Sequence, residues 1–211
     1  MLNLYIQAAD KTGGAERLSP SENGQFPGSV SNNGDVLLFN ERSPIGGAWH
    51  TSELLLTGKR IAQPLITGPS QWYVGAKISA DGHWVAYVSD EDGKLEVYVQ
   101  PYPSGQRKWK LSAEGGKEVV WARSGRELYW RNGDKMMVAE FDAKSSSPPG
   151  KPRMLFERSG YVPGLVAMAQ YDVARDGRFV MVQEGAPAPP PAQLSVVLNW
   201  HEELKRLVPA K

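Results

Sequence analysis

Short apolar runs broken by glycine-bearing turns recur along this chain, and their spacing predicts strands with almost no helix. The plainest copy is Ala76-Lys77-Ile78-Ser79-Ala80-Asp81-Gly82-His83-Trp84-Val85-Ala86-Tyr87-Val88, which reads as a strand, a tight turn and a second strand. Related copies centre on Asn33-Gly34, Ser124-Gly125 and Asp176-Gly177, so the turn glycines follow one another at intervals of 48, 43 and 52 positions. Glycine suits such turns because one residue takes a positive φ, where a β-carbon would clash. Asn33, Asp81 and Asp176 suit them because their side chains bond to nearby backbone amides, as Ser124 does more weakly.

Each turn is followed by further strand-like runs, such as 95–100 and 109–112 after the second turn and 136–141 and 153–156 after the third. Four strands in 43 to 52 residues is the size of a propeller blade. The chain is therefore expected to be all-β: a partial β-propeller of about four four-stranded antiparallel blades, forming a single domain over 1–211. Residues 1–24 read as the outer half of a preceding blade, followed by blades over 25–72, 73–117 and 118–163. The last, incomplete blade spans 164–211, with a third strand over 194–200 and a short C-terminal helix over 200–207. The run 186–191, rich in proline, reads as a loop.

Composition narrows the function classes. With 24 basic and 23 acidic residues among 211, the net charge is +1 and the charges are interspersed, which argues against nucleic-acid binding. There are no cysteines, so disulfides, thiolate nucleophiles and thiolate metal sites are excluded. No apolar run reaches the ~20 residues that span a bilayer, so membrane insertion by this chain is not expected. The opening Met1-Leu2-Asn3-Leu4-Tyr5 lacks a basic segment followed by an apolar stretch. It reads as the middle of a strand, as in a chain cut from something longer.

Ser79-Ala80-Asp81-Gly82, followed by an aromatic-rich strand through Tyr87, resembles the repeat of TolB-like β-propellers, a WD-repeat-like group. The first and third copies lack the aspartate. Two further stretches, 96–103 and 194–200, are similar to the C-terminal propeller of certain bacterial transmembrane serine/threonine kinases. That resemblance implies a sensing or binding module on the extracytoplasmic side of a bacterial membrane. The chain itself carries no kinase glycine-rich loop, His-Arg-Asp loop or Asp-Phe-Gly segment.

Tests for chemistry return little. No serine lies in a Gly-x-Ser-x-Gly elbow and no Ser-x-x-Lys pair occurs. A hydrolase assembled from rim loops is the alternative reading, with His50, placed in a long loop after Trp49, as base and Ser70 as nucleophile. Against it stands an ordinary exposed histidine. Asp90-Glu91-Asp92-Gly93 is too short for a calcium loop and reads as a solvated hairpin tip, so neither metal nor cofactor is expected.

Trp84, Trp121 and Trp130 fall in strand patterns and are expected to pack between blades. Trp49, Trp72, Tyr73 and Tyr161 fall in loops or at strand starts. Propellers commonly bind through one rim of the central channel, and flat amphipathic rings there give contact area at little entropic cost. With His50, Lys117 and Arg123 they form the candidate set for an unidentified protein or small-molecule ligand; ordinary core or surface roles are the alternative. A half-blade at one end and a three-stranded blade at the other also raise the expectation of a homodimer or higher homo-oligomer that completes a ring.

Overall fold

Ser79, Asp81 and Gly82 build the turn on which the repeat depends. The Ser79 hydroxyl accepts the Trp84 amide at 3.0 Å, the Asp81 carboxylate accepts the His83 amide at 3.1 Å, and Gly82 takes φ +77°. Ser31 and Asn33 repeat the arrangement one blade earlier, with the Val36 amide 3.0 Å from the Ser31 hydroxyl. The preference for serine two residues before Asp or Asn thus has a local cause: side chains replace the backbone partners that the turn leaves out.

The computed structural model describes residues 2–10, 12–103, 105, 107–141, 148–164, 168–185, 204 and 207–208. Strands β1 (Tyr5–Ile6) and β2 (Glu16–Arg17) pair first. A four-stranded antiparallel sheet follows, formed in order by β3 (Gly24–Val30), β4 (Val36–Arg42), β5 (Trp49–Leu55) and β6 (Ala62–Ile66). The second contains β7 (Tyr73–Ile78), β8 (Trp84–Ser89), β9 (Glu96–Pro101) and β10 (Trp109–Lys110). The third contains β11 (Lys117–Trp121), β12 (Glu127–Asn132), β13 (Lys135–Glu140) and β14 (Arg153–Glu157). Strands β15 (Tyr171–Val173) and β16 (Phe179–Met181) pair last.

Among the described residues there are thus three four-stranded sheets with a two-stranded sheet at either end, and neither end sheet pairs with the other. The third strand expected over 194–200 lies outside the described residues. So does most of the C-terminal helix, of which one helical hydrogen bond, from the Val208 amide to the Leu204 carbonyl, is described. No helix among the described residues is long and apolar enough to cross a membrane.

The sheets stack face to face. On β8, Trp84, Ala86 and Val88 pack toward Leu128 and Trp130 of the third sheet, while Val85 and Tyr87 pack toward Leu38 and Ile66 of the first. Successive side chains on a strand point to opposite faces, so a strand between two neighbouring sheets is buried on both. This is why all six residues of β8 are buried. Trp84 and Trp130 are core residues, while Trp121 is only partly buried. Strand β7 packs against β3 on one side and β11 on the other, and β11 packs against β15, so these four innermost strands run around a common axis.

Candidate functional site

A cleft of about 1080 Å³ runs along the innermost strands β3, β7, β11 and β15. That is slightly above the ~300–1,000 Å³ typical of small-molecule sites. Its walls are mainly apolar and aromatic. Phe26 and Trp49 meet with ring centroids 5.0 Å apart, and Trp49 and Trp72 stack 5.9 Å apart with only 14° between their planes. A bridge between the backbones of Trp49 and Trp72, with the Trp49 amide donating to the Gln71 carbonyl at 2.8 Å, brings the two indoles together. Trp72 remains 37% exposed, so the stack offers free ring surface to the cleft.

Two charges line this apolar wall. Lys77 points from β7 and donates to the Gly28 carbonyl at 3.2 Å; burial holds its pKa below the ordinary lysine value, with the Asp172 charge pulling the other way. Asp172, on β15, ion-pairs with Arg123 at 3.9 Å. A bulge between Pro27 and Ser29 brings Gly28 against β4, where a β-carbon would lie 2.8 Å from the Leu38 carbonyl oxygen; only glycine fits there. Trp121 closes the wall between β11 and β7, its indole N–H donating to the Lys77 carbonyl at 2.9 Å. On its other side the Trp121 ring packs edge-on against Phe141.

The candidates picked out by sequence therefore separate. Trp49 and Trp72 lie in the cleft wall. Tyr73 is buried with Tyr87 and Leu38 between the first two sheets. Lys117 starts β11 opposite Arg131, and Tyr161 bridges to Gln183, both away from the cleft wall. Arg123 is exposed and reaches the cleft only through Asp172.

His50 is not in a long loop as expected: it follows Trp49 as the second residue of β5, with Trp49 opposite Arg42 and His50 opposite Glu41. The run 53–56 reads as a strand, but the first half of β5 does not, because Thr51 and Ser52 are polar yet buried against polar partners. As for the hydrolase alternative, His50 Nε2 lies 3.2 Å from the Glu41 carboxylate and the Ser70 hydroxyl bonds to Asp90. No hydrogen bond among the described residues joins His50 to Ser70. At the hairpin tip, Glu91 pairs with Lys108, and Asp92 with Lys110.

Glu41 itself is the best-satisfied carboxylate near the cleft. It accepts from Ser21 at 2.9 Å, Ser52 at 2.8 Å and Gln25 at 3.3 Å. Burial pushes its pKa up, but these bonds, helped by His50, outweigh burial and hold it below its ordinary value of 4.5. A depressed folded-state pKa contributes stability above the unfolded value that disappears as pH falls through the folded one. Thermal melts between about pH 3 and about pH 6 should show stability falling with acid, with a shallower fall in Glu41→Gln. An unchanged slope in that variant would place the acid sensitivity elsewhere.

Sequence reasoning missed Lys77, Asp172, Phe26 and Tyr171 as cleft residues. A signal existed for Lys77, a lone lysine inside the otherwise apolar strand that enters the best-formed turn.

Antiparallel four-stranded sheets stacked around their innermost strands define a β-propeller, and among the described residues it is an open, partial one. Its fold is similar to that of a TolB-type protein from Agrobacterium tumefaciens, at 16% identity and a TM-score of 0.60 over 84% of this chain and 64% of that one. TolB from Acinetobacter baumannii matches at 18% identity and 0.56, over 85% of this chain and 47% of that one. A puromycin hydrolase matches at 11% identity and 0.56, over 84% of this chain but 31% of that one. The chain thus spans less than two thirds of each of these proteins. No family model matches the sequence, and no curated protein matches it.

Proposed function

We propose that this chain is a non-catalytic binding module whose ligand occupies the cleft along the innermost strands. The carrying observation is the Trp49–Trp72 stack, which presents partly exposed indole surface to a cavity large enough for a ligand. Exposed aromatic surface costs free energy in water, and covering it is what such residues contribute at binding sites. The motif resemblance supports a finer assignment: a sensing propeller of a bacterial signalling protein, held on the extracytoplasmic side of the membrane.

Screening small aromatic compounds by intrinsic tryptophan fluorescence should find binders that shift the emission. Trp72→Ala should weaken them about thirtyfold, the loss of one ~2 kcal/mol aromatic contact. Its melting temperature should barely change, because the ring is not core. The hydrolase reading has one supporting feature, the His50–Glu41 contact. General esterase and peptidase substrates should remain uncleaved; turnover abolished by His50→Ala would replace the binding assignment with a catalytic one.

A further inference from the structure

We propose that the cleft selects ligands that carry a carboxylate on a flat apolar body, with Lys77 as the group that binds the carboxylate. This rests on the cleft being the ligand site and adds the chemical class of its occupant. Among the described residues Lys77 is the only basic side chain lining the cleft and Asp172 the only acidic one. A lysine ammonium has three N–H donors. Among the described residues Lys77 makes one hydrogen bond, to the Gly28 carbonyl, so two of its donors have no partner there.

The two charges differ in what they lack. Asp172 has 71% of its side chain exposed and already sits 3.9 Å from Arg123. Lys77 is half-buried and is not in ion-pairing contact with Asp172. Counting Lys77, Asp172 and Arg123 together leaves one positive charge in excess on this side of the cleft. A second cation, Arg42, lies 5.7 Å over the Trp49 ring. Glu41, the neighbour of Arg42 in the chain, is buried, accepts from Ser21, Ser52 and Gln25, and offsets Arg42 in the count, so the excess stays at one. A single carboxylate therefore neutralises the excess.

Desolvation makes an uncompensated ammonium costly and a carboxylate beside it correspondingly favourable. Lys77 Nζ reaches the Gly28 carbonyl, two residues along β3 from Phe26, whose ring meets Trp49 at 5.0 Å, so a flat ring resting on the Trp49–Trp72 surface and an anionic group reaching Lys77 belong to one ligand of modest size. The cavity of about 1080 Å³ accommodates such a body.

The test is calorimetric titration of the full chain with three matched probes: 3-(2-naphthyl)propionate, its uncharged amide, and 2-(2-naphthyl)ethylamine. The carboxylate should bind about tenfold or more tightly than the amide, as expected for a charge-assisted hydrogen bond. The amine should bind most weakly. Lys77→Met should erase the difference between carboxylate and amide while leaving amide binding in place; Lys77→Arg should preserve it. Equal binding of carboxylate and amide by the unaltered chain, or a preference that survives Lys77→Met, overturns the role of Lys77. If the three probes bind equally and Trp72→Ala abolishes all of them, the cleft stands as the ligand site and only the anion selectivity falls. If none binds, the cleft assignment fails and takes this inference with it.

Discussion

Replacing Trp130 with alanine is expected to cost about 3–5 kcal/mol of folding stability, the range for deleting a large buried aromatic. Trp130 lies on β12 and is 1% exposed. It packs with Val97, Val99, Val119 and Leu128 in the cluster between the second and third sheets. The fit is tight: a β-carbon at Gly116 would lie 3.0 Å from the Trp130 ring. The central strands that wall the cavity left by alanine, β8, β9 and β12, are each hydrogen-bonded on both edges, so the surroundings can collapse little. Thermal denaturation should show a fall of roughly 10 °C for a chain of this size. A loss below about 1 kcal/mol would mean that the sheets are loosely stacked and that the inter-sheet cluster is not what holds the propeller together.

Glu96→Ala should be nearly as damaging, by roughly 3 kcal/mol, for a different reason. Glu96 is fully buried on β9. Its Oε2 accepts the Ser112 hydroxyl and, at 3.0 Å, the Gly115 amide. Its Oε1 faces Lys94 at 3.4 Å and Lys110 at 3.7 Å. The Ser112 hydroxyl in turn accepts the Val97 amide at 2.7 Å, so the carboxylate organises the turn that leads into the third sheet. Alanine would strand the Ser112 and Gly115 donors in the interior, where each lost bond to a charged acceptor is worth about 1.5–3 kcal/mol. The lysines reach solvent, so their share is small. Glu96→Gln keeps an acceptor for Ser112 and Gly115 and should lose only about 1 kcal/mol. Chemical denaturation of both variants checks this: equal losses would assign the stability to the lysine pairs rather than to the turn.

Glu96 and Trp130 also show where sequence patterning stops being informative. Trp130, inside Leu128-Tyr129-Trp130, reads as a core residue from its strand alone. Glu96 falls in the strand-like run 95–100, and nothing in that run marks a charged residue for burial. Its burial follows from Ser112 and Gly115, 16 and 19 positions away, folding over it. The same limit hid the first half of β5, where Thr51 and Ser52 are buried but polar. It also separated Tyr73 from Trp72: adjacent residues on an extended chain point to opposite faces, one into the core and one to the cleft.

What the chain's own letters determine is the repeat: turns closed by serine, aspartate or asparagine and glycine, and the apolar strands between them. These depend on residues a few positions apart, and their φ preferences and side-chain to backbone bonds are local. Only the tertiary structure decides which side chains share the cleft. Phe26, Lys77, Trp121 and Asp172 come from separate sheets, and their convergence depends on how far each sheet is rotated against the next, which is set by packing between sheets and not by any single strand.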